Sequence, residues 1–92
     1  MKDAWKKELA RMVASARGAN EANVLLKTLL TPAEHGELAK RWQIVCGLIG
    51  GVPQRVIRDK LSASIATITR GSRELKYGNG IFQKFYKRLQ GQ

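Results

Sequence analysis

"PQRVIRDKLSASIATITRGSRELK", residues 53–76, decides the fold. Its middle, "SIATITRGS" at 64–72, sets Ile65, Thr67, Ile68 and Thr69 close together, and these β-branched side chains favour a strand by propensity alone. The segments on both sides nevertheless read as helical. Val56, Ile57 and Leu61 form the inner face of a first short helix, and Ile65 and Ile68, three apart, point a second one inward. "LSAS" at 61–64 breaks the two, and Ser64 or Ser62 is expected to cap the second helix. A helix, a break of a few residues and another helix is the sequence form of a helix-turn-helix over about 53–76, whose second helix reads base edges from the major groove.

Outward from this stretch, turn-like punctuation stands at "RGAN" (17–20), "TP" (31–32), "GGVP" (50–53) and "YGNG" (77–80). About six segments result, each predicted helical, so the expected fold is all-α. The first, roughly 3–16, puts Trp5, Leu9, Met12 and Val13 on one face and is stopped by "RGAN". A second, about 20–30, carries Val24, Leu25, Leu29 and Leu30. Thr31, Pro32 and Glu34 then form a capping-box pattern that starts a third helix running to Gly50. Leu38, Trp42, Val45 and Ile49 follow helical spacing along it, with Ile44 and Leu48 widening the stripe. The last segment, about 80–90, aligns Phe82, Phe85, Tyr86 and Leu89, with Lys84, Lys87 and Arg88 off that stripe.

Ninety-two residues suffice for one domain, 1–92, and bury a modest share of their surface alone. The wide third-helix stripe and the absence of paired cysteines make a homodimer the expected source of further stability. The single Cys46 cannot form an internal disulfide and suits a reducing cytoplasm. It also sits on a mostly apolar helix, as a small core residue and not a reactive thiol. No apolar run approaches the ~20 residues of a membrane helix, so no membrane partner is expected.

Seventeen Lys and Arg against seven Asp and Glu give a net charge of +10. Such a balance points to a polyanion, double-stranded DNA first, with RNA or an anionic lipid surface as the alternative. On the DNA reading Ala66, Thr67 and Thr69 let the second helix approach the bases closely while offering methyls and hydroxyls. Arg55, Arg58 and Lys60 before the turn and Lys76 after it would bracket the groove with phosphate contacts. No catalytic constellation emerges and no metal site is expected. His35 stands without a partner, and "GG" and "YGNG" lack the lysine of a phosphate-binding loop.

"LLTPAEHGELAKRWQIV", "GG", "QR" and above all "IATITRGSRELK" together resemble the tryptophan repressor family of bacterial transcription regulators, from about Trp5 to Lys76. The resemblance implies an intertwined all-helical homodimer that binds a palindromic operator only with L-tryptophan bound as corepressor, and no other cofactor. It further implies that Arg41 and Arg70 sandwich the indole and that Arg70 with Thr31 binds the ligand carboxylate. Gly71 would admit the ring close to the backbone, Ile44 and Val45 would line the pocket floor, and carbonyls near Leu30 of a partner subunit would receive the ammonium. The implied DNA contacts are Arg55, Arg58, Ser64, Ile65, Ala66, Thr67, Thr69 and Lys76, in accord with those chosen above.

The chain departs from the family at three places. "VPQ" is one residue shorter than the usual connection between the third and fourth helices. Trp42 replaces a smaller aliphatic residue and is expected to pack in the core or a dimer contact. Glu74 stands where the family has a serine near the ligand ammonium. A carboxylate there either pairs with that ammonium or turns outward to Arg70 or Arg73.

Overall fold

The computed structural model describes residues 2–91, which form six helices: α1 (Lys2–Ala14), α2 (Gly18–Leu29), α3 (Pro32–Ile49), α4 (Gln54–Leu61), α5 (Ile65–Tyr77) and α6 (Ile81–Gln90). No strand occurs among the described residues, so "IATIT" is helix despite its composition. Propensity differences among such residues are at most about 0.7 kcal/mol each, and burial outweighs them. The chain packs as two compact units, Met1–Gly36 and Glu37–Gln92, with the boundary inside α3.

In the first unit, "RGAN" does less than expected. Only Ser15, Ala16 and Arg17 leave helical structure, and α2 already begins at Gly18. Glu21 explains the early start, because its carboxylate accepts a hydrogen bond from the Arg17 backbone N–H at 2.8 Å and so serves a donor the helix leaves unpaired. Gly18, with φ +87°, takes the left-handed turn that admits the chain to the helix. Neither α1 nor α2 contributes a buried residue, and Trp5, Leu9, Met12 and Val13 along the α1 stripe are 63, 47, 37 and 45% exposed.

The capping box at the start of α3 forms in both directions. The Thr31 N–H donates to Glu34 Oε1 at 2.9 Å, and the Glu34 N–H donates to Thr31 Oγ1 at 3.2 Å. Thr31→Ala is expected to cost about 1 kcal/mol in denaturant unfolding. The Thr31 backbone bond first, and its side chain second, hold the Glu34 carboxyl below its ordinary value of 4.5. A depressed carboxylate stabilises the fold above its unfolded pKa, and that contribution is lost as pH falls from there through the lowered folded value. Acidification across this window should therefore destabilise the wild type more than Glu34→Gln, as urea titrations on either side of it would show.

The second unit owns the core. Ile44 of α3, Ile57 of α4, Ala63 of the connection and Ile68 of α5 are 1, 3, 7 and 0% exposed, with Leu48 and Leu61 packed against them. Val45 is buried as well, at 4%. Val56 and Ile65, both expected to face inward, are instead 36 and 50% exposed. On each helix one isoleucine takes the core position, and the neighbouring apolar residue falls outside the arc that the short helix can bury. α3 and α4 approach closely beside Gly47, where a Cβ would stand 3.1 Å from Ile57 Cδ1.

Each of the three residues joining α4 to α5 has one task. Ser62 ends α4 in the left-handed region (φ 52°, ψ 40°), and its N–H and that of Ala63 both reach the Arg58 carbonyl. Ala63 fills the core, and Ser64 begins α5 as its N-cap, accepting from the Thr67 N–H at 3.1 Å. Of the two serines considered as caps, the structure therefore selects Ser64. Farther on, Gln83 Nε2 donates to the Leu75 carbonyl at 2.9 Å and ties α6 to the end of α5.

Charge is uneven between the units. Eleven of the 17 Lys and Arg but three of the seven acids lie in Glu37–Gln92, a balance of +8 against +2 for the remainder. No described helix is long and apolar enough to cross a membrane.

Candidate functional site

α3 and α5 each turn one stripe toward a shared cavity of about 230 Å³. From α3 come Arg41, Ile44 and Val45, at i, i+3 and i+4. From α5 come Thr67, Arg70, Gly71 and Glu74, at i, i+3, i+4 and i+7, and α6 adds Phe82. Six of the eight residues expected to hold a ligand therefore converge on one pocket. Leu30 and Thr31 lie in the other unit, where Thr31 serves as the α3 cap.

Small-molecule pockets commonly run from roughly 300 to 1,000 Å³, so this one lies at the small end and suits a single amino-acid-sized molecule. Its floor is apolar, since Ile44 and Val45 are buried. Gly71 completes that floor, because a Cβ there would come within 3.3 Å of Leu48 Cδ1 and 3.8 Å of Ile44 Cγ2. Its rim is charged, carrying Arg41, Arg70 and Glu74, all exposed. Such a site offers an apolar body, two guanidiniums for an anionic group and one carboxylate for a cationic one.

Two lining residues, Thr67 and Phe82, are not among those expected from the sequence. Thr67, expected on the groove face, is half-buried and shares a hydrogen bond with the Ser64 hydroxyl at 2.8 Å. The wall of the pocket is thus one hydrogen bond away from the N-cap of α5. Phe82 comes from a helix distant in sequence and is backed by Trp42, their ring centroids 6.3 Å apart and tilted by 55°. Trp42 is half-buried and packs against this aromatic wall. Nearby on α3, Cys46 is half-buried, and burial pushes its thiol up from the ordinary 9.0, which keeps it protonated near neutral pH.

The opposite side of α5 is open. Ile65, Ala66, Thr69 and Lys76 are exposed on it, and Ser64 is exposed at its start. Arg55 and Arg58 are exposed on α4, and Arg58 Nε lies 3.1 Å from Asp59 Oδ1. That pair is solvent-accessible on both sides, at 44 and 66%, and is readily exchanged for a stronger anion. A single helix thus carries three functions by face: core through Ile68, pocket through Thr67, Arg70, Gly71 and Glu74, and a small hydroxyl-bearing surface through Ala66 and Thr69.

Comparison with known proteins places the chain in a family. The family described as "Trp repressor protein" matches residues 4–90. A "Trp operon repressor homolog" of Mannheimia succiniciproducens is 38% identical over 85 residues, which cover 91% of this chain and 83% of that protein. Namesakes from Pasteurella multocida and Actinobacillus succinogenes are 42% identical over 66 residues and 48% identical over 63. These matches cover 71 and 67% of this chain and 65 and 62% of the relatives. No solved structure gives a significant match.

Proposed function

The chain belongs to the Trp repressor family, and from that premise we propose that it is a ligand-responsive, sequence-specific DNA-binding transcriptional repressor, acting in the cytoplasm as a homodimer with L-tryptophan as corepressor. The observation that carries this reading is the division of α5. One stripe of the helix lines a pocket of amino-acid size, and another presents Ala66 and Thr69 to solvent. A ligand in the pocket therefore bears directly on the helix proposed to read DNA.

In the proposed mechanism α4 and α5 act as a helix-turn-helix. Arg41 and Arg70 hold the indole between their planes, and Arg70 also takes the carboxylate. Ile44, Val45 and Gly71 support the ring, and Leu30 and Thr31 enter only through the family resemblance. Ligand contact with Thr67 bears on the Ser64 cap and so steadies the first turn of α5. Ser64, Ile65, Ala66 and Thr69 approach the major groove, while Arg55, Arg58 and Lys76 hold phosphates. Because ligand and DNA favour the same α5 orientation, each strengthens binding of the other by the same factor.

The uncovered α1 stripe supports the homodimer, for the helix buries nothing within the chain. A second copy presents the same stripe, and a two-fold dimer reads a palindromic site.

The test is calorimetry with L-tryptophan combined with DNA-binding anisotropy, with and without that ligand. Heat on mixing and a ligand-dependent gain in DNA affinity are expected. DNA binding that persists unchanged, with no heat at millimolar tryptophan, would sink the corepressor assignment. Thr69→Ala should alter base preference, whereas Arg55→Ala should weaken all sequences alike and lower the salt slope by about one.

A further inference from the structure

We propose that Glu74 makes the pocket prefer a ligand that carries an ammonium group, so that the chain favours an α-amino acid over its deaminated carboxylic acid. This rests on the pocket reading above. Three formal charges meet at one small cavity, two from Arg41 and Arg70 and one from Glu74. Among the described residues the one ion pair is Arg58 with Asp59, so none of these three is neutralised by a neighbour.

That lack of pairing is informative because of spacing. Arg70 and Glu74 are four residues apart on α5, the separation at which helical ion pairs ordinarily form. Here the Glu74 side chain lies instead along the helix toward Gly78, so that a Cβ at Gly78 would fall on its carboxylate. Gly78 leaves the room in which that side chain rests. The carboxylate is neither committed to Arg70 nor paired with Arg73, and the Glu74 side chain is part of the pocket lining.

A deaminated acid brings one negative charge into this setting. The guanidiniums attract it and Glu74 repels it. An amine lacking the carboxylate meets the reverse, with two repelling arginines. A zwitterionic amino acid alone matches both signs, its carboxylate toward Arg70 and its ammonium toward Glu74. Specificity then comes from the repulsive element as much as from the attractive one. Since Glu74 is exposed, water and salt weaken its field, and a discrimination on the order of tenfold is expected.

The experiment measures binding of L-tryptophan, indole-3-propionate and tryptamine to the wild-type dimer and to Glu74→Gln. The wild type should bind L-tryptophan about tenfold more tightly than indole-3-propionate, with tryptamine weakest, and the preference should shrink as salt rises. Glu74→Gln should bind indole-3-propionate more tightly than the wild type does, a gain that misfolding cannot mimic. If L-tryptophan binds but the wild type does not discriminate, or if Glu74→Gln keeps the preference, the role of Glu74 is overturned while the pocket stands. If none of the three compounds binds the wild type, the pocket reading falls and this inference with it.

Discussion

Arg70→Ala is expected to lower affinity for L-tryptophan on the order of 100-fold while leaving the helical content of the protein unchanged. On the proposed reading two contributions would disappear together: a planar cation stacked on the ligand and a fork that pairs with its carboxylate. Arg70 is exposed and belongs to no ion pair among the described residues, so its removal costs the fold little. Arg70→Lys sharpens the result, because it keeps the charge but loses both the plane and the fork, and it should recover only a minor part of the loss. Calorimetry gives the affinity and circular dichroism the integrity of the fold. Binding by Arg70→Ala within about threefold of wild type would remove Arg70 from the pocket's chemistry.

Ile68→Ala is expected to destabilise the protein by about 3 kcal/mol, a large share of the 5–15 kcal/mol typical of a whole domain. Ile68 is fully buried against Ile44, Ile57 and Ala63, and truncation leaves a gap that three separate segments would have to close. Ile65→Ala, one turn earlier, should cost less than about 1 kcal/mol because that side chain is half exposed. The contrast between the two isoleucines in urea unfolding measures the rotation of α5 about its own axis. Equal losses would mean that the pocket and open faces are assigned to the wrong sides.

What could be read from the chain beforehand follows the range of each interaction. The capping box at Thr31 and Glu34 spans four residues, and its pattern specified the start of α3. The six helices were legible for the same reason, since apolar spacing is local. The finish of α1 and the start of α2 were not, because they depend on one carboxylate, Glu21, reaching a backbone N–H four residues back. At Val56 and Ile65 periodicity gave an inner face, but not how little of each short helix the core could cover.

The pocket divides likewise. Arg41, Arg70 and Gly71 were named through the family resemblance. Thr67 was available as well, since 67, 70, 71 and 74 make one helical stripe, but its hydroxyl also suited the groove and was assigned there. Phe82 had no such signal. Its spacing places it on the apolar face of α6, and nothing local says that this face meets Trp42 and the pocket.

The concentration of charge in Glu37–Gln92, eleven cations against three acids, carries a consequence for how the proposed regulator would be distributed in a cell. Attraction to phosphate is indifferent to sequence, and random DNA vastly outnumbers any operator. On this reading most copies reside on the chromosome and few are free in solution. The ligand then acts on molecules already bound, redistributing them between random tracts and operators instead of recruiting them from a dissolved pool. Occupancy follows the ratio of the two affinities, and because both weaken together as ions accumulate, that ratio resists osmotic upshift far better than either affinity alone.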